Sequence, residues 1–136
     1  MRVSFDHEKL QVYQASLRFA AWCDGVLAKV PKSVPVHGQL DRACTSVVLN
    51  IPEGNGKFTS ADRCKYFDTA RGSALECAAC LDLLVIKNII GEPESEQGKE
   101  QLVRIVSMLV GLIRSNSTDR LHEETAEYRV GSTGKD

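Results

Sequence analysis

The sequence predicts an all-α protein, an antiparallel up-down-up-down bundle of four helices. Apolar residues recur at spacings of three and four along four long segments, which is the pattern of a helix with one buried face. The chain contains no alternating apolar and polar runs of the kind that indicates strands. Glycine and proline separate the segments, and the short connections between them favour antiparallel neighbours.

Composition sets the broad class of the protein. The 136 residues suffice for one domain that buries about two thirds of its unfolded surface. Hydrophobic residues make up 43% of the chain and charged residues 26%, the proportions of an ordinary globular protein. Seventeen basic and eighteen acidic residues leave a net charge of −1. This balance provides no general attraction to nucleic-acid backbones or to anionic lipid.

Targeting signals and cysteine usage indicate a cytoplasmic protein. The N-terminal residues lack the apolar run of a signal peptide, and no stretch approaches about 18 consecutive apolar residues. We therefore expect no membrane span. The five cysteines are odd in number, and without a secretory signal they indicate reduced thiols in a cytosol.

The first helix is predicted over residues 7–30, with Asp6 as its N-cap. Its core-facing stripe consists of Leu10, Tyr13, Leu17, Ala20 and Leu27. Phe19 and Trp22 lie off the centre of this stripe. They are either ordinary exposed side chains or aromatic rings buried against another subunit.

The second helix follows the linker at residues 31–35 and should end or kink at Pro52, which lacks a backbone donor. Gly54 and Gly56 then suit a loop with positive φ. The third helix is predicted over residues 60–90, with Thr59 and Asp62 at capping-box spacing and Gly91 as a left-handed C-cap.

The last helix begins near Pro93 and carries two adjacent apolar stripes, which suggests burial on more than one side. The stripes are Leu102, Ile105, Leu109 and Leu112, and Val103, Val106, Val110 and Ile113. Residues 1–122 are predicted to form the single domain. Residues 123–136 are polar and are predicted to form a solvated C-terminal tail.

Four polar residues interrupt the apolar pattern around the second loop: Asn50, Glu53, Arg71 and Ser73. They are either solvated surface side chains or an internal structural network that ties the loop to the third helix. A guanidinium near the core cannot lose its proton and needs a partner. We therefore predict a solvent-shielded ion pair between Arg71 and Glu53 that fixes the loop.

The same region resembles the four-helix-bundle proteins once called S23 ribosomal proteins, whose genes were first noticed in intervening sequences of bacterial 23S rRNA genes. The residues that carry the resemblance are Gln39, Leu40, Arg42, Ala43, Ser46, Asn50, Ile51, Glu53, Gly54, Ala70, Arg71, Gly72, Ser73 and Glu76. Upstream, Leu10, Val12, Tyr13, Gln14 and Ala15 are similar to the signature of the family's first helix. The similarity covers roughly residues 8–115, and Pro52 departs from it, because the family more often has alanine there.

The resemblance implies a small bundle that assembles into rings, with five copies in known members. It therefore favours burial of Phe19 and Trp22 against a second subunit. It implies no established activity. One relative, found in diversity-generating retroelements, partners a reverse transcriptase and binds nucleic acid, but that relative is strongly basic.

Motifs for catalysis or metal binding are weak in this chain. Cys77 and Cys80 have CxxC spacing but lie inside a helix, so buried thiols are favoured over a redox pair or a zinc site. The three histidines, His7, His37 and His122, are scattered and lack metalloprotease spacing. We predict no catalytic residues, no metal site and no cofactor.

The loop around Lys57 offers candidate anion or nucleic-acid contacts. The run from Gly54 to Lys57 does not fit a phosphate-binding loop, because it follows a helix and lacks the required glycine and hydroxyl residue. Lys57, Arg63 and Lys65 nevertheless cluster near the start of a helix. Since Glu53 and Asp62 dilute their charge, a solvated mixed-charge loop is the favoured interpretation.

These observations lead to a non-catalytic, homo-oligomeric cytoplasmic protein that acts as a scaffold or interaction module. Its principal partner is itself, in a ring of identical subunits. The alternative is a nucleic-acid-binding accessory protein that works with RNA or a reverse transcriptase. A basic stripe on one face of the assembly would favour that alternative.

Overall fold

The computed structural model describes the backbone of residues 4–131 and the side chains of residues 4–117, and it confirms the all-α prediction. A short 3-10 helix, Asp6–Lys9, precedes four α-helices: α1 Gln11–Leu27, α2 Pro35–Asn55, α3 Ser60–Ile86 and α4 Glu92–Gly131. The helices have 17, 21, 27 and 40 residues, well over two thirds of the chain. The described backbone contains no strand.

The helices form an antiparallel four-helix bundle, as predicted. α1 packs against α2 and α4, and α3 packs against the same two helices. In the described part of the chain, α1 does not contact α3 and α2 does not contact α4. The α1–α2 and α3–α4 pairs therefore form opposite sides of the bundle. No helix of the described residues is long and apolar enough to cross a membrane.

The start of α1 differs from the prediction. Asp6 begins the separate 3-10 helix, and the extended backbone of Leu10 breaks the chain before α1 begins at Gln11. The break is held by Glu8, whose Oε1 accepts a hydrogen bond from the Phe5 amide at 2.5 Å. Its carbonyl accepts another from Gln14 Nε2 at 3.0 Å. α1 also ends three residues before Val30, in keeping with the constraint that Pro31 places on the residue before it.

The predicted core face of α1 was wrong by one position. The buried side chains are Val12, Ser16, Phe19, Cys23 and Val26. Leu17, predicted to lie in the core, is 44% exposed, whereas Phe19 is fully buried inside its own subunit. Both sets of residues have three-four spacing, so periodicity did not distinguish them. The expectation that Phe19 packs against a second subunit was therefore wrong.

Trp22 is half-buried and covers part of α4. Its indole packs so closely on Gly98 that a Cβ at that position would lie 2.4 Å from Trp22 Cη2. Its Nε1 donates a hydrogen bond to Gln97 Oε1 at 3.3 Å. Gly98 therefore permits the close approach of α1 and α4.

Three expectations about helix ends also required correction. α2 continues through Pro52 to Asn55, because a proline in the last turn removes only one backbone donor. Gly54 is needed for packing rather than for positive φ, since an added Cβ would lie 2.9 Å from the Phe67 ring. α3 ends at Ile86, and the left-handed position after it is Asn88, with φ of 60°, instead of Gly91. The Thr59 cap was predicted correctly, because its Oγ1 accepts from the Asp62 amide at 3.1 Å.

α4 is the longest helix and extends to Gly131. Leu102, Ile105 and Leu109 of its first stripe are fully buried or nearly so, whereas Val103 of the second stripe is 67% exposed. The side chains of residues 118–131 and all of residues 132–136 lie outside the described residues. The predicted solvated tail and the domain boundary at residue 122 therefore stay predictions, and His122 falls in the same segment.

Candidate functional site

Two of the four predicted network residues come together between α2 and α3. Ser46 Oγ and Ser73 Oγ share a hydrogen bond of 2.7 Å. Asn50 Nδ2 donates to the Ser46 carbonyl at 2.8 Å and to Ser46 Oγ at 3.0 Å. Ser46 therefore joins Asn50 to Ser73 and links two helices through partly buried polar atoms. In the sequence, Ser46 was notable only as one of the residues that carry the family resemblance, and it was not predicted to belong to the network.

The predicted ion pair between Arg71 and Glu53 is absent from the described chain, so that prediction was wrong within one subunit. Arg71 Nη2 lies 3.0 Å from Asp68 Oδ1, and Glu53 Oε1 lies 3.7 Å from Lys57 Nζ. Both pairs lie at the surface, where the two carboxylates are exposed and the two cations are half-buried. Ala70 occupies the core-facing position beside Arg71, so the guanidinium is directed to the surface and needs no buried partner.

Arg63 performs the role that was predicted for Arg71. Its Nη1 donates to the carbonyls of Asn55 and Lys57 at 2.8 and 3.2 Å, and its Nε donates to Asn116 Oδ1 at 3.0 Å. Asn116 is buried and in turn donates to the Leu112 carbonyl at 2.8 Å. The guanidinium thus holds the end of α2, the following loop and α4 together. The signal for this role was the position of Arg63, one turn into α3 after a helix end with free carbonyls.

The candidate anion contacts do not form one basic patch. The guanidinium of Arg63 is occupied by the loop carbonyls and Asn116. Lys57 Nζ lies 5.0 Å from the centre of the Tyr66 ring, and Lys65 Nζ lies 6.0 Å from it. Phe58, between these lysines in the sequence, is fully exposed at the tip of the loop. The two lysines stay on the surface, where Glu53 partly neutralises Lys57.

The five cysteines are free thiols, and four of them are buried. Cys77 and Cys80 lie about one helical turn apart in α3. Both are buried, as predicted, and burial raises the pKa of both thiols. Cys23 hydrogen-bonds to Cys44 across α1 and α2, and this bond together with burial raises the pKa of Cys23. The thiols of Cys23, Cys77 and Cys80 therefore stay protonated and neutral at physiological pH.

The two histidines whose side chains the structure describes occupy separate environments. His7 packs edge-on against Tyr13, with ring centres 4.8 Å apart, and stacks on Phe5. His37 lies in the first turn of α2 and is half-buried. Among the described residues, no three histidine, cysteine or acidic side chains form a group able to hold a metal ion.

An apolar groove runs between α3 and α4 on the outer surface. It has a volume of about 510 Å³ and is lined mainly by alanine, leucine and valine side chains: Ala74, Leu75, Ala78, Leu102, Val103 and Val106. Leu75 and Val103 are 51% and 67% exposed. One end is closed by an ion pair between Asp82 and Lys99, in which the carboxylate raises the pKa of the lysine through a hydrogen bond. We call this surface the α3–α4 groove.

A second, smaller depression lies on the opposite side, between α1 and α2. Its volume is about 220 Å³. Leu17 and Leu49 stand exposed at one end, and Asp24 and Asp41 lie toward the other. We call this surface the α1–α2 face.

Comparison with known proteins agrees with this architecture. Residues 8–111 match the family model described as 23S rRNA-intervening sequence protein. A solved structure of a protein with unknown function from the S23 ribosomal protein family of Bacteroides thetaiotaomicron superposes with a TM-score of 0.69 at 24% identity. The match covers 75% of this chain and 97% of that one. No curated protein sequence matched this chain. Since the family model spans most of the chain and the fold agrees, the chain belongs to the 23S rRNA-intervening sequence protein family.

Proposed function

We propose that this protein is a non-catalytic scaffold or interaction module that assembles with copies of itself in the cytoplasm. The observation that carries the proposal is the α3–α4 groove, which leaves Leu75 and Val103 largely exposed beside alanines and valines. Contiguous apolar surface of this kind on a soluble protein usually marks an interaction site. A second copy of the chain would cover the groove.

The form of the assembly is a ring of identical subunits, with five copies expected from the family resemblance. A ring requires two different contact surfaces on each subunit, so that every copy uses one surface toward each neighbour. The α3–α4 groove and the α1–α2 face provide two separate surfaces with exposed leucine or valine. These two surfaces support the proposal of a closed ring.

A non-catalytic role is supported by how the chemically capable side chains are used. Arg63 is bonded to loop carbonyls and to Asn116. The thiols of Cys23, Cys77 and Cys80 have raised pKa values, so they carry little of the thiolate that acts as a nucleophile. These groups stabilise the bundle.

Light scattering after gel filtration tests the proposed assembly. At micromolar concentration we expect a discrete mass that is a multiple of the 15.0 kDa of one chain, with five copies as the specific expectation. A monomer mass under these conditions would contradict the proposal, because the groove would then be stable in water without a partner.

The alternative function, a nucleic-acid-binding accessory protein that serves RNA or a reverse transcriptase, receives support from one observation. Lys57 and Lys65 remain on the surface near Tyr66 and the fully exposed Phe58, and aromatic rings between cations suit stacking on unpaired bases. The net charge of −1 and the pairing of Glu53 with Lys57 weigh against it. The scaffold role is therefore preferred.

A further inference from the structure

The two exposed apolar surfaces match each other along the helix axis. α1 and α3 run in the same direction in the bundle. On α1, Asp24 follows Leu17 by seven residues, and on α3, Asp82 follows Leu75 by seven residues. At 1.5 Å per residue, each charged group lies about 10 Å below its leucine. Lys99 is bonded to Asp82, so the groove carries this ion pair about as far below Leu75 as the opposite face carries Asp24 below Leu17.

The match continues above the leucines. Glu53 lies four residues beyond Leu49 on α2, and Arg71 lies four residues before Leu75 on α3. Because α2 and α3 are antiparallel, both charged groups lie about 6 Å from their leucines in the same direction, toward the end of the bundle that carries the α2–α3 loop. Glu53 is exposed and Arg71 is half-buried at the surface. Among the described residues, Arg71 pairs with Asp68 on its own helix, and Glu53 pairs with Lys57 in the loop after α2. One alignment therefore brings a carboxylate of the neighbour beside a cation at both ends of the apolar contact, and each of these cations also keeps an acidic partner in its own subunit.

We infer that the α3–α4 groove of one copy receives the α1–α2 face of the next copy. Leu17 and Leu49 pack against Leu75 and Val103. Arg71 then lies beside Glu53 of the neighbour, and Lys99 lies beside its Asp24. The inference rests on the proposed self-assembly and names the surfaces that carry it. In this contact Arg71 and Glu53 form an ion pair between subunits, although they do not pair with each other within one subunit.

The contact displaces neighbouring bundles along their axes. The Cys23–Cys44 and Ser46–Ser73 hydrogen bonds put Cys23, Cys44 and Leu75 at nearly one height. Leu17 and Leu49 lie about 8 Å above that height. A tilt of each bundle relative to the assembly axis accommodates this displacement in a closed ring. The displacement has the same sense in every copy, as a head-to-tail contact requires.

Two single substitutions and their mixture test the assignment. Val103→Arg blocks the groove and leaves the α1–α2 face intact, whereas Leu49→Arg blocks the face and leaves the groove intact. We expect each variant alone to be monomeric in light scattering. Their equimolar mixture should form a heterodimer of two chains, because one intact groove and one intact face remain available.

Leu83→Arg is the matched control, since Leu83 is 46% exposed on α3 but belongs to neither surface. It should assemble like the wild type. All three substituted side chains are exposed, so thermal melts followed by circular dichroism should confirm folded helices in each variant. Charge reversal provides a second readout: Arg71→Glu or Glu53→Arg alone should weaken assembly about fivefold, and the double variant should restore it.

The outcomes separate the inference from the proposed function. A monomeric wild type contradicts self-assembly itself. An assembled wild type whose two variants do not form a heterodimer contradicts only the assigned surfaces. An intact assembly of Leu49→Arg with a monomeric Val103→Arg would mean that the groove packs on another groove. Dissociation of Leu83→Arg would move the contact to the α2–α3 side, and either result overturns the inference.

Discussion

At the scale of single residues, Arg63 shows how one cation can organise a loop. The last carbonyls of a helix lack intrahelical donors, and a guanidinium presents several donors in a fixed plane. Arg63 donates to carbonyls of Asn55 and Lys57 and also reaches Asn116 of α4. One side chain therefore connects three parts of the bundle.

Replacing Arg63 by methionine should lower the free energy of unfolding by about 2–3 kcal/mol, because partly buried acceptors lose charged donors. Urea denaturation followed by circular dichroism measures the change. The control is Lys29→Met, which removes an exposed ion pair to Glu94 and should cost less than about 1 kcal/mol. Equal, small losses in both variants would show that Arg63 has no structural role.

Gly98 is a second residue whose role depends on a close contact. In Gly98→Ala the new methyl group would meet the Trp22 ring and Leu81, so we expect a loss of about 1–3 kcal/mol. Gly111→Ala is a matched control in the same helix, because a Cβ there meets nothing within 4 Å, and alanine should stabilise the helix by up to about 1 kcal/mol. The Trp22 fluorescence spectrum should shift only in Gly98→Ala. A stabilised Gly98→Ala would contradict the packing.

At the scale of helices, buried thiols lie on the interior faces of α1, α2 and α3. Burial and the bond to Cys44 raise the pKa of Cys23, and burial raises the pKa values of Cys77 and Cys80. The folded state therefore keeps thiol protons at pH values where the unfolded chain releases them. The resulting stability is fully present below the ordinary cysteine pKa of about 8.5 and is lost as the pH rises above it.

Urea melts between pH 7 and pH 10 should show this loss. Above pH 8.5 the free energy of unfolding should fall by up to about 1.4 kcal/mol per pH unit for each protected thiol. Cys77→Ala should make the fall in unfolding free energy with pH less steep by the contribution of one thiol. This change in slope is expected whatever the substitution does to stability at pH 7. A stability that stays constant to pH 10 would mean that the thiols ionise as easily in the fold as in the unfolded chain.

The helices also show which features of the pattern were informative. Spacing of apolar residues predicted four helices, and all four are present. The same spacing allowed two different faces of α1, one containing Leu17 and the other containing Phe19. The sequence prediction chose the face with Leu17, but the buried face is the one with Phe19. Periodicity reports that one face is buried, but side-chain volumes and the shape of the neighbouring helices decide which face it is.

At the scale of the whole molecule, charge balance governs binding to polyanions. Non-specific nucleic-acid binding is driven by release of counterions from phosphates, and this chain has a net charge of −1. We expect no binding to generic duplex DNA or RNA tighter than about 10 μM at physiological salt. Fluorescence anisotropy with a salt titration measures it. Tight binding with a steep salt dependence would favour the nucleic-acid accessory role, and Lys57→Glu with Lys65→Glu would then identify the surface.

The sequence by itself determined the number of helices, their antiparallel order and the family, because these depend on local periodicity, on glycine and proline, and on motifs that are contiguous in the chain. It also singled out Asn50 and Ser73, which Ser46 brings together. Only the tertiary structure decided the partners of Arg71 and Glu53, the use of Arg63 as the loop clamp and the burial of Phe19. A rotation of about 100° per residue separates adjacent helix positions, so a neighbouring residue in the chain can point to the core or to water. Which of these it does depends on how the helices pack, and that arrangement is a property of the whole fold.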